Sequence, residues 1–150
     1  IEQGIIKCDA RMYRGSESPD FPDDVPQYDD NRQQKSNADL FYNKRAQYYT
    51  ELAQRFYKTW RAVEKGEYID PDELISIASD IPLINKIRAE VCRIPRKLNN
   101  ASGKIQIMPK QEMKRRYGIN SPNMADCMAM ALEKPLNRSK RAGRIKFEGW

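Results

Sequence analysis

The stretch GKIQIMPKQEMKRRYGINSPNMADCMAMAL, residues 103–132, sets three elements in a row. Lys104-Ile105-Gln106-Ile107-Met108 alternates polar and apolar like a strand until Pro109. Lys110 to Tyr117 is helical in propensity and carries Lys110, Lys114, Arg115 and Arg116, with Gly118 placed as its C-terminal cap. Ser121 and Pro122 then suit the N-cap and first position of a final helix that runs through Leu132 and stops before Pro135. Asn123 and Asp126 are three residues apart in that helix, on one face of its first two turns. A carboxylate and an amide oxygen at this spacing both reach a single hard cation such as Mg²⁺ or Mn²⁺. The positive end of the helix opposes such a cation, so further carboxylates are needed from elsewhere. On spacing alone, an Asp126 that simply sits near a helix start, stabilised by the dipole, is the more frequent case.

Upstream, Tyr42, Ala46, Tyr49, Ala53, Phe56, Trp60 and Val63 recur at alternating four- and three-residue steps. This predicts one amphipathic helix from Asn37 to a stop near Gly66. One-sided helical spacing makes Tyr42, Tyr49, Phe56 and Trp60 core residues rather than a base-stacking platform. Asp70-Pro71-Asp72-Glu73 reads as a second helix start, carrying Leu74, Ile75, Ile77 and Ala78 as far as Pro82. Ile84 to Ile94 suits helix or strand, and Asn99-Asn100 opens a turn. Residues 4–8 read as a short strand leading to Asp9. Residues 14–36 hold Gly15, Pro19, Pro22 and Pro26, many acids and few large apolar groups, which predicts an exposed acidic loop or a disordered insertion. Ser102-Gly103-Lys104-Ile105 has the Gly-Lys of a phosphate loop but neither its upstream glycine nor its following Ser or Thr.

Composition narrows the chemistry. The 150 residues include no His, which removes Ser–His and Cys–His nucleophile pairs and imidazole zinc sites. Cysteines at 8, 92 and 127 form no C-x-x-C and are odd in number, so a reducing compartment is expected rather than a disulfide framework. No apolar run is long enough to span a bilayer. The chain begins at Ile1, which suggests a piece of a longer protein. Net charge is +6, and it is uneven: residues 1–30 hold eight acids and three bases, the remainder 24 bases and 13 acids. Such asymmetry points to a polyanionic partner. The end of the chain, with Lys134, Arg138, Lys140, Arg141, Arg144 and Lys146, suits an arm along phosphates or a solvated tail.

The run Gly103-Lys104-Ile105-Gln106-Ile107, Lys110, Glu112, Lys114-Arg115, Gly118, Ser121-Pro122-Asn123 and Ala125-Asp126 resembles the end of the nuclease domain of large terminase subunits from tailed phages. Phe41-Tyr42-Asn43-Lys44-Arg45-Ala46, followed by Tyr49, is similar to a helix of the same family. Gly66-Glu67-Tyr68-Ile69 and Asp72-Glu73-Leu74 are similar to its next turn and helix. Together these cover roughly residues 37–132.

The resemblance implies an α/β, ribonuclease-H-like nuclease fold, a mixed central sheet flanked by helices, of which this chain is the helix-rich C-terminal part. It divides the chain into a possible sheet strand in 1–13, the acidic loop in 14–36, the nuclease part in 37–135 and the basic tail in 136–150. It implies metal-dependent cleavage of concatemeric viral duplex DNA by two Mg²⁺ or Mn²⁺ ions, a chemistry that suits a chain without His. Asp126 takes the catalytic, metal-ligating role. Asn123 stands where many members have a second Asp and offers a neutral oxygen without the charge. Lys110, Lys114, Arg115 and Arg116 line a DNA track, extended by Lys140, Arg141 and Arg144. The family's two earlier acidic positions are not identified in the chain, so the site is expected to be incomplete. The implied partners are double-stranded DNA, an N-terminal ATPase domain, the portal and the small terminase subunit, in the cytoplasm of an infected bacterium and without a membrane. Two rivals remain at this point: a non-catalytic DNA-binding or docking module of the packaging motor, and a resolvase-like junction endonuclease.

Overall fold

A computed structural model of the chain describes residues 12–27, 35–98 and 101–133. The expected strand at 4–8 with Asp9, the Asn99-Asn100 turn and the tail with Lys140, Arg141 and Arg144 lie outside the described residues. Helix α1 (Asn37–Leu40) is a single turn capped by Ser36, whose hydroxyl oxygen accepts the Asp39 N–H. The chain then extends through Phe41, and α2 (Lys44–Lys65) starts afresh with Asn43 as N-cap, accepting the Ala46 N–H at 3.0 Å. The continuous helix expected over 37–65 is therefore broken. Phe41, wholly buried, sits in a parallel bridge with Ile105: Ile105 N–H donates to Leu40 O at 2.8 Å and Tyr42 N–H to Ile105 O at 2.9 Å. Those backbone groups are unavailable to a helix. At its other end α2 stops at Gly66 as expected, with φ +65° in the left-handed region.

The strand expected over 104–108 appears as two isolated bridges, Phe41 with Ile105 and Arg96 with Ile107. No longer strand occurs among the described residues, which are helix-rich. The second helix start at Asp70 yields only a 3₁₀ turn, Pro71–Glu73. Side chains of α2 take the backbone groups a longer helix would use. Thr59 Oγ1 accepts the Ile75 N–H at 2.9 Å, and Arg55 Nη1 donates to the carbonyls of Asp72 and Leu74.

The ambiguous segment after Pro82 is helix, α3 (Ile84–Val91). Helix α4 (Lys110–Tyr117) ends on Gly118 at φ +66°, as its sequence predicts. Helix α5 (Asn123–Met130) begins one residue later than expected and ends two residues earlier. Ser121 does not cap it, because its hydroxyl donates to Asn123 Oδ1 at 2.7 Å. Glu90 of α3 does so instead: its Oε2 accepts the N–H groups of Met124 (2.7 Å) and Ala125 (3.2 Å), an anion at a helix N-terminus.

The core lies where the N-terminal half of α2 meets α4, α5 and the bridged segments. It gathers Phe41, Ala46, Tyr48, Tyr49, Leu52, Ile107, Met108, Met113, Ala125 and Ala129. The expected aromatic stripe is thus only half right. Ala46 and Tyr49 are buried and Phe56 half-buried, but Tyr42 lies outside the helix and is exposed, as are Ala53, Trp60 (47%) and Val63 (73%). Helix α5 meets the first turns of α2, while the later turns carry the 72–75 segment and leave Trp60 and Val63 exposed.

The described part of the acidic segment is a loop with most of its residues exposed, but it is tied down at several points. Residues 12–27 fold back over the start of α2. Glu17 O and Gly15 O accept the N–H groups of Lys44 (2.8 Å) and Arg45 (2.9 Å), satisfying donors that a helix start leaves open. Asp20, 5% exposed, accepts the Tyr48 hydroxyl at 2.7 Å and pairs with Lys44 at 3.1 Å.

Candidate active site

Helix α5 presents Asp126 to the first two turns of α2, and the carboxylate is 16% exposed. Its Oδ1 accepts a hydrogen bond from the Tyr49 hydroxyl at 2.6 Å and longer ones, 3.4 Å each, from Arg45 Nε and Nη2. Lys110 Nζ, at the start of α4, lies 2.6 Å from Oδ2; the contact is an ion pair rather than an aligned hydrogen bond. Burial pushes the Asp126 carboxyl up. Lys110, the Tyr49 hydroxyl and Arg45 outweigh it and hold the group below the usual Asp range, so it is an anion. Burial, reinforced by the Asp126 charge, pushes the Tyr49 hydroxyl well up, which keeps it a donor.

Arg45 is fixed from three sides. Its guanidinium stacks over the Tyr49 ring, 5.1 Å from the centroid, and its Nη1 donates to Met108 O at 3.1 Å. Beside it, Lys44 is buried and pairs with Asp20 (3.1 Å), Glu133 (3.0 Å) and Glu17 (3.6 Å). Burial lowers the Lys44 pKa, but the hydrogen bonds and charges of Glu133 and Asp20 raise it above the ordinary value on balance. Arg45 and Asp126 lie in one cleft of about 360 Å³, lined among others by Tyr13, Gly15, Tyr49 and Lys110.

Of the residues singled out from sequence, the structure brings Lys110 and Asp126 together in this cleft. Asn123 does not line it; it is exposed and bonded to Ser121. Lys114 and Arg115 are exposed on α4 while Met113 faces the core, and Arg116 pairs with Glu112 at 2.9 Å. Sequence reasoning did not single out Arg45, Tyr49, Tyr13 or Glu90 as site or capping residues. A signal for Arg45 existed: Lys44 and Arg45 put two cations in the first turn of a helix, against its dipole, so both require anionic partners.

A divalent cation needs several hard oxygen ligands. Asp126 fits one of those positions, ionised and placed in a cleft. Among the described residues, no group of three or more His, Cys, Asp or Glu is placed to hold a metal, and Asp126 is flanked by two cations. The described residues therefore offer one candidate oxygen ligand and do not form a complete metal site.

No protein-family model and no curated protein matches the chain. Solved structures do. The nuclease domain of the large terminase subunit of bacterial virus Sf6 is 43% identical, with a TM-score of 0.70, over 83% of this chain and 53% of that one. A mutant of that domain solved with manganese and beta-thujaplicinol gives 42% and 0.71, covering 83% and 53%. A mutant solved with calcium gives 42% and 0.70, covering 83% and 52%. The chain spans about half the length of these structures. With that identity over most of its length, and with Lys110 and Asp126 of the quoted motif meeting in one cleft, the chain belongs to the family of nuclease domains of phage large terminase subunits.

Proposed function

We propose that the chain forms part of a nuclease that cuts concatemeric viral duplex DNA during genome packaging, with Asp126 as a ligand to a catalytic Mg²⁺ or Mn²⁺. The observation that carries this reading is the ionised Asp126 carboxylate held in a cleft by Arg45, Tyr49 and Lys110, in a chain similar to nuclease domains solved with manganese and with calcium. When bound, divalent ions supply water activation and charge neutralisation at the scissile phosphate. The remaining carboxylates, and the mixed sheet of a ribonuclease-H-like fold, come from outside the described residues.

The chain's own residues have separable tasks. Tyr49 and Arg45 bind Oδ1 and fix the orientation of the carboxylate. Lys110 covers Oδ2 but is 49% exposed, so it is the partner able to swing aside and free that oxygen. Lys114, Arg115 and Arg116 continue the positive surface from Lys110 along α4, suited to phosphates without reading bases. Lys140, Arg141 and Arg144 would extend this track, and the portal, small subunit and ATPase domain are the expected partners.

The test is plasmid cleavage with Mn²⁺ or Mg²⁺ by the intact protein and its Asp126→Asn variant. Loss of cleavage with retained fold supports the ligand role; wild-type cleavage by the variant refutes it. One observation favours a second reading, a DNA-binding module without catalysis: a single carboxylate sits between two cations. Calorimetric titration separates the two, since tight Mn²⁺ binding that depends on Asp126 belongs only to the enzyme.

A further inference from the structure

Helix α5 starts without a local cap. Its N-cap residue is Pro122, which has no side-chain acceptor, and the Ser121 hydroxyl is turned to Asn123 Oδ1. An N-cap side chain ordinarily accepts the N–H of the second or third helical residue, here Met124 and Ala125. Both donate instead to a single atom of α3, Glu90 Oε2, at 2.7 and 3.2 Å. The pair of bonds crosses from one helix to another and ends on the residue immediately before Asp126.

That placement bears on the carboxylate. The Asp126 N–H donates to Pro122 O at 2.8 Å, so Asp126 belongs to the same hydrogen-bonded turn that Glu90 holds. The direction in which its Cβ leaves the helix follows the rotation of that turn. Packing through Pro122, Ala125 and Ala129, all buried and compact, gives the turn few directional constraints. Two hydrogen bonds to one fixed oxygen supply them, because their strength falls steeply off axis. The contacts at stake tolerate little movement. The Tyr49 hydroxyl lies 2.6 Å from Asp126 Oδ1, whereas Arg45 Nε and Nη2 lie 3.4 Å away, at the far end of hydrogen-bond range. A displacement of the first turn of α5 by about half an ångström ends the Arg45 contacts.

We propose that Glu90 is a positioning residue of the candidate site: from α3 it fixes the first turn of α5 and so sets the Asp126 carboxylate against Tyr49 and Arg45. Glu90 acts through the backbone of Met124 and Ala125 and does not line the cleft. Its consequence for cleavage rests on the nuclease reading; its hold on Asp126 does not.

The test uses the intact protein with Glu90→Ala, which removes the acceptor, and Glu90→Gln, which keeps an acceptor oxygen. Urea denaturation reads a double-mutant cycle with Tyr49→Phe. In the wild-type background Tyr49→Phe should raise the unfolding constant by about 5–30-fold. With Glu90→Ala that factor should shrink by about threefold or more, because the carboxylate no longer sits squarely on the hydroxyl, and with Glu90→Gln it should return toward the wild-type value. An undiminished factor with Glu90→Ala overturns the proposal, since Asp126 then keeps its place without Glu90. A Glu90→Gln variant as impaired as Glu90→Ala also overturns it, since the acceptor oxygen is then not what matters. Should Glu90→Ala not fold, Glu90→Asp, whose carboxylate falls one methylene short, is read in the same cycle by the same criteria. Plasmid cleavage with Mn²⁺ gives the second readout: kcat about tenfold lower for Glu90→Ala with KM within about twofold, and most of the loss recovered by Glu90→Gln. Asp126→Asn keeps the two readings apart. If that variant cuts like wild type, the nuclease reading fails while the unfolding cycle still judges Glu90. If it is dead and the Tyr49→Phe factor is the same in both backgrounds, only the role of Glu90 fails.

Discussion

Replacing Asp126 with alanine should destabilise the protein as well as inactivate it, and the contacts allow the cost to be worked out. The Tyr49 hydroxyl, on a side chain 6% exposed, loses a 2.6 Å bond to a charged acceptor and is left buried without a partner, about 1.5–3 kcal/mol. Arg45 loses two longer contacts but keeps Met108 O and the Tyr49 ring, so its share is smaller, about 1 kcal/mol. Lys110 is half exposed and re-solvates, for roughly 0–1 kcal/mol. The sum is about 2.5–5 kcal/mol, a fall in Tm of roughly 5–20 °C for a domain of this size. Urea denaturation with an unchanged slope measures it. The Tyr49→Phe variant should cost about 1–2 kcal/mol, and in a double-mutant cycle the two changes should couple by about 1–2 kcal/mol. A cost for Asp126→Ala below about 1 kcal/mol, or no coupling to Tyr49→Phe, would refute the claim that Oδ1 is held by a buried hydroxyl. Asp126→Asn keeps an oxygen for Tyr49, which is why it is the cleaner variant for cleavage assays.

The same carboxylate carries an acid dependence. Its pKa is lower in the folded chain than in the unfolded one, so its stabilisation is full above the ordinary Asp pKa near 3.8 and is lost as pH falls through the folded value; the stability gap between wild type and Asp126→Asn should therefore close on acidification below about pH 4. Lys44→Met strands Asp20 and Glu133 in nearly buried positions and should cost about 3–5 kcal/mol. Limited proteolysis within residues 12–27 should quicken in that variant, and adding Asp20→Asn should recover part of the loss. Leu52→Ala, in the core, should cost about 2–5 kcal/mol in urea denaturation, while Trp60→Ala, at an exposed position of the same helix, should cost less than about 1 kcal/mol.

Local rules located most of the elements. Gly66 and Gly118 end α2 and α4 where their lack of a Cβ makes a left-handed residue inexpensive. In α4, Met113 is buried while Lys114 and Arg115 are exposed. Where local rules failed, a distant group had taken the backbone atoms that a local element needed. Thr59 and Arg55 hold 72–75 out of the helix that Asp70-Pro71 announces, Ile105 breaks α1 from α2, and Glu90 caps α5 in place of Ser121. The acidic segment looked too poor in apolar groups to order itself, and by apolar burial it is. Residues 12–27 are held by helix N–H groups and by Lys44, terms that hydropathy does not count.

The candidate site divides in the same way. Sequence alone set the expected class of the site: no His, Asp126 in a helix preceded by a run of cations, and a motif order similar to one nuclease family. Tertiary structure alone decided which charges meet. It set Lys110 and Arg45 on Asp126, left Asn123 at the surface, and brought Tyr13 from the other end of the described chain to the same cleft. The physical reason is range. Propensity and periodicity act over a few residues along the chain, whereas a buried charge is stabilised only by a partner within a few ångströms in space, and which residue that is depends on how the helices pack.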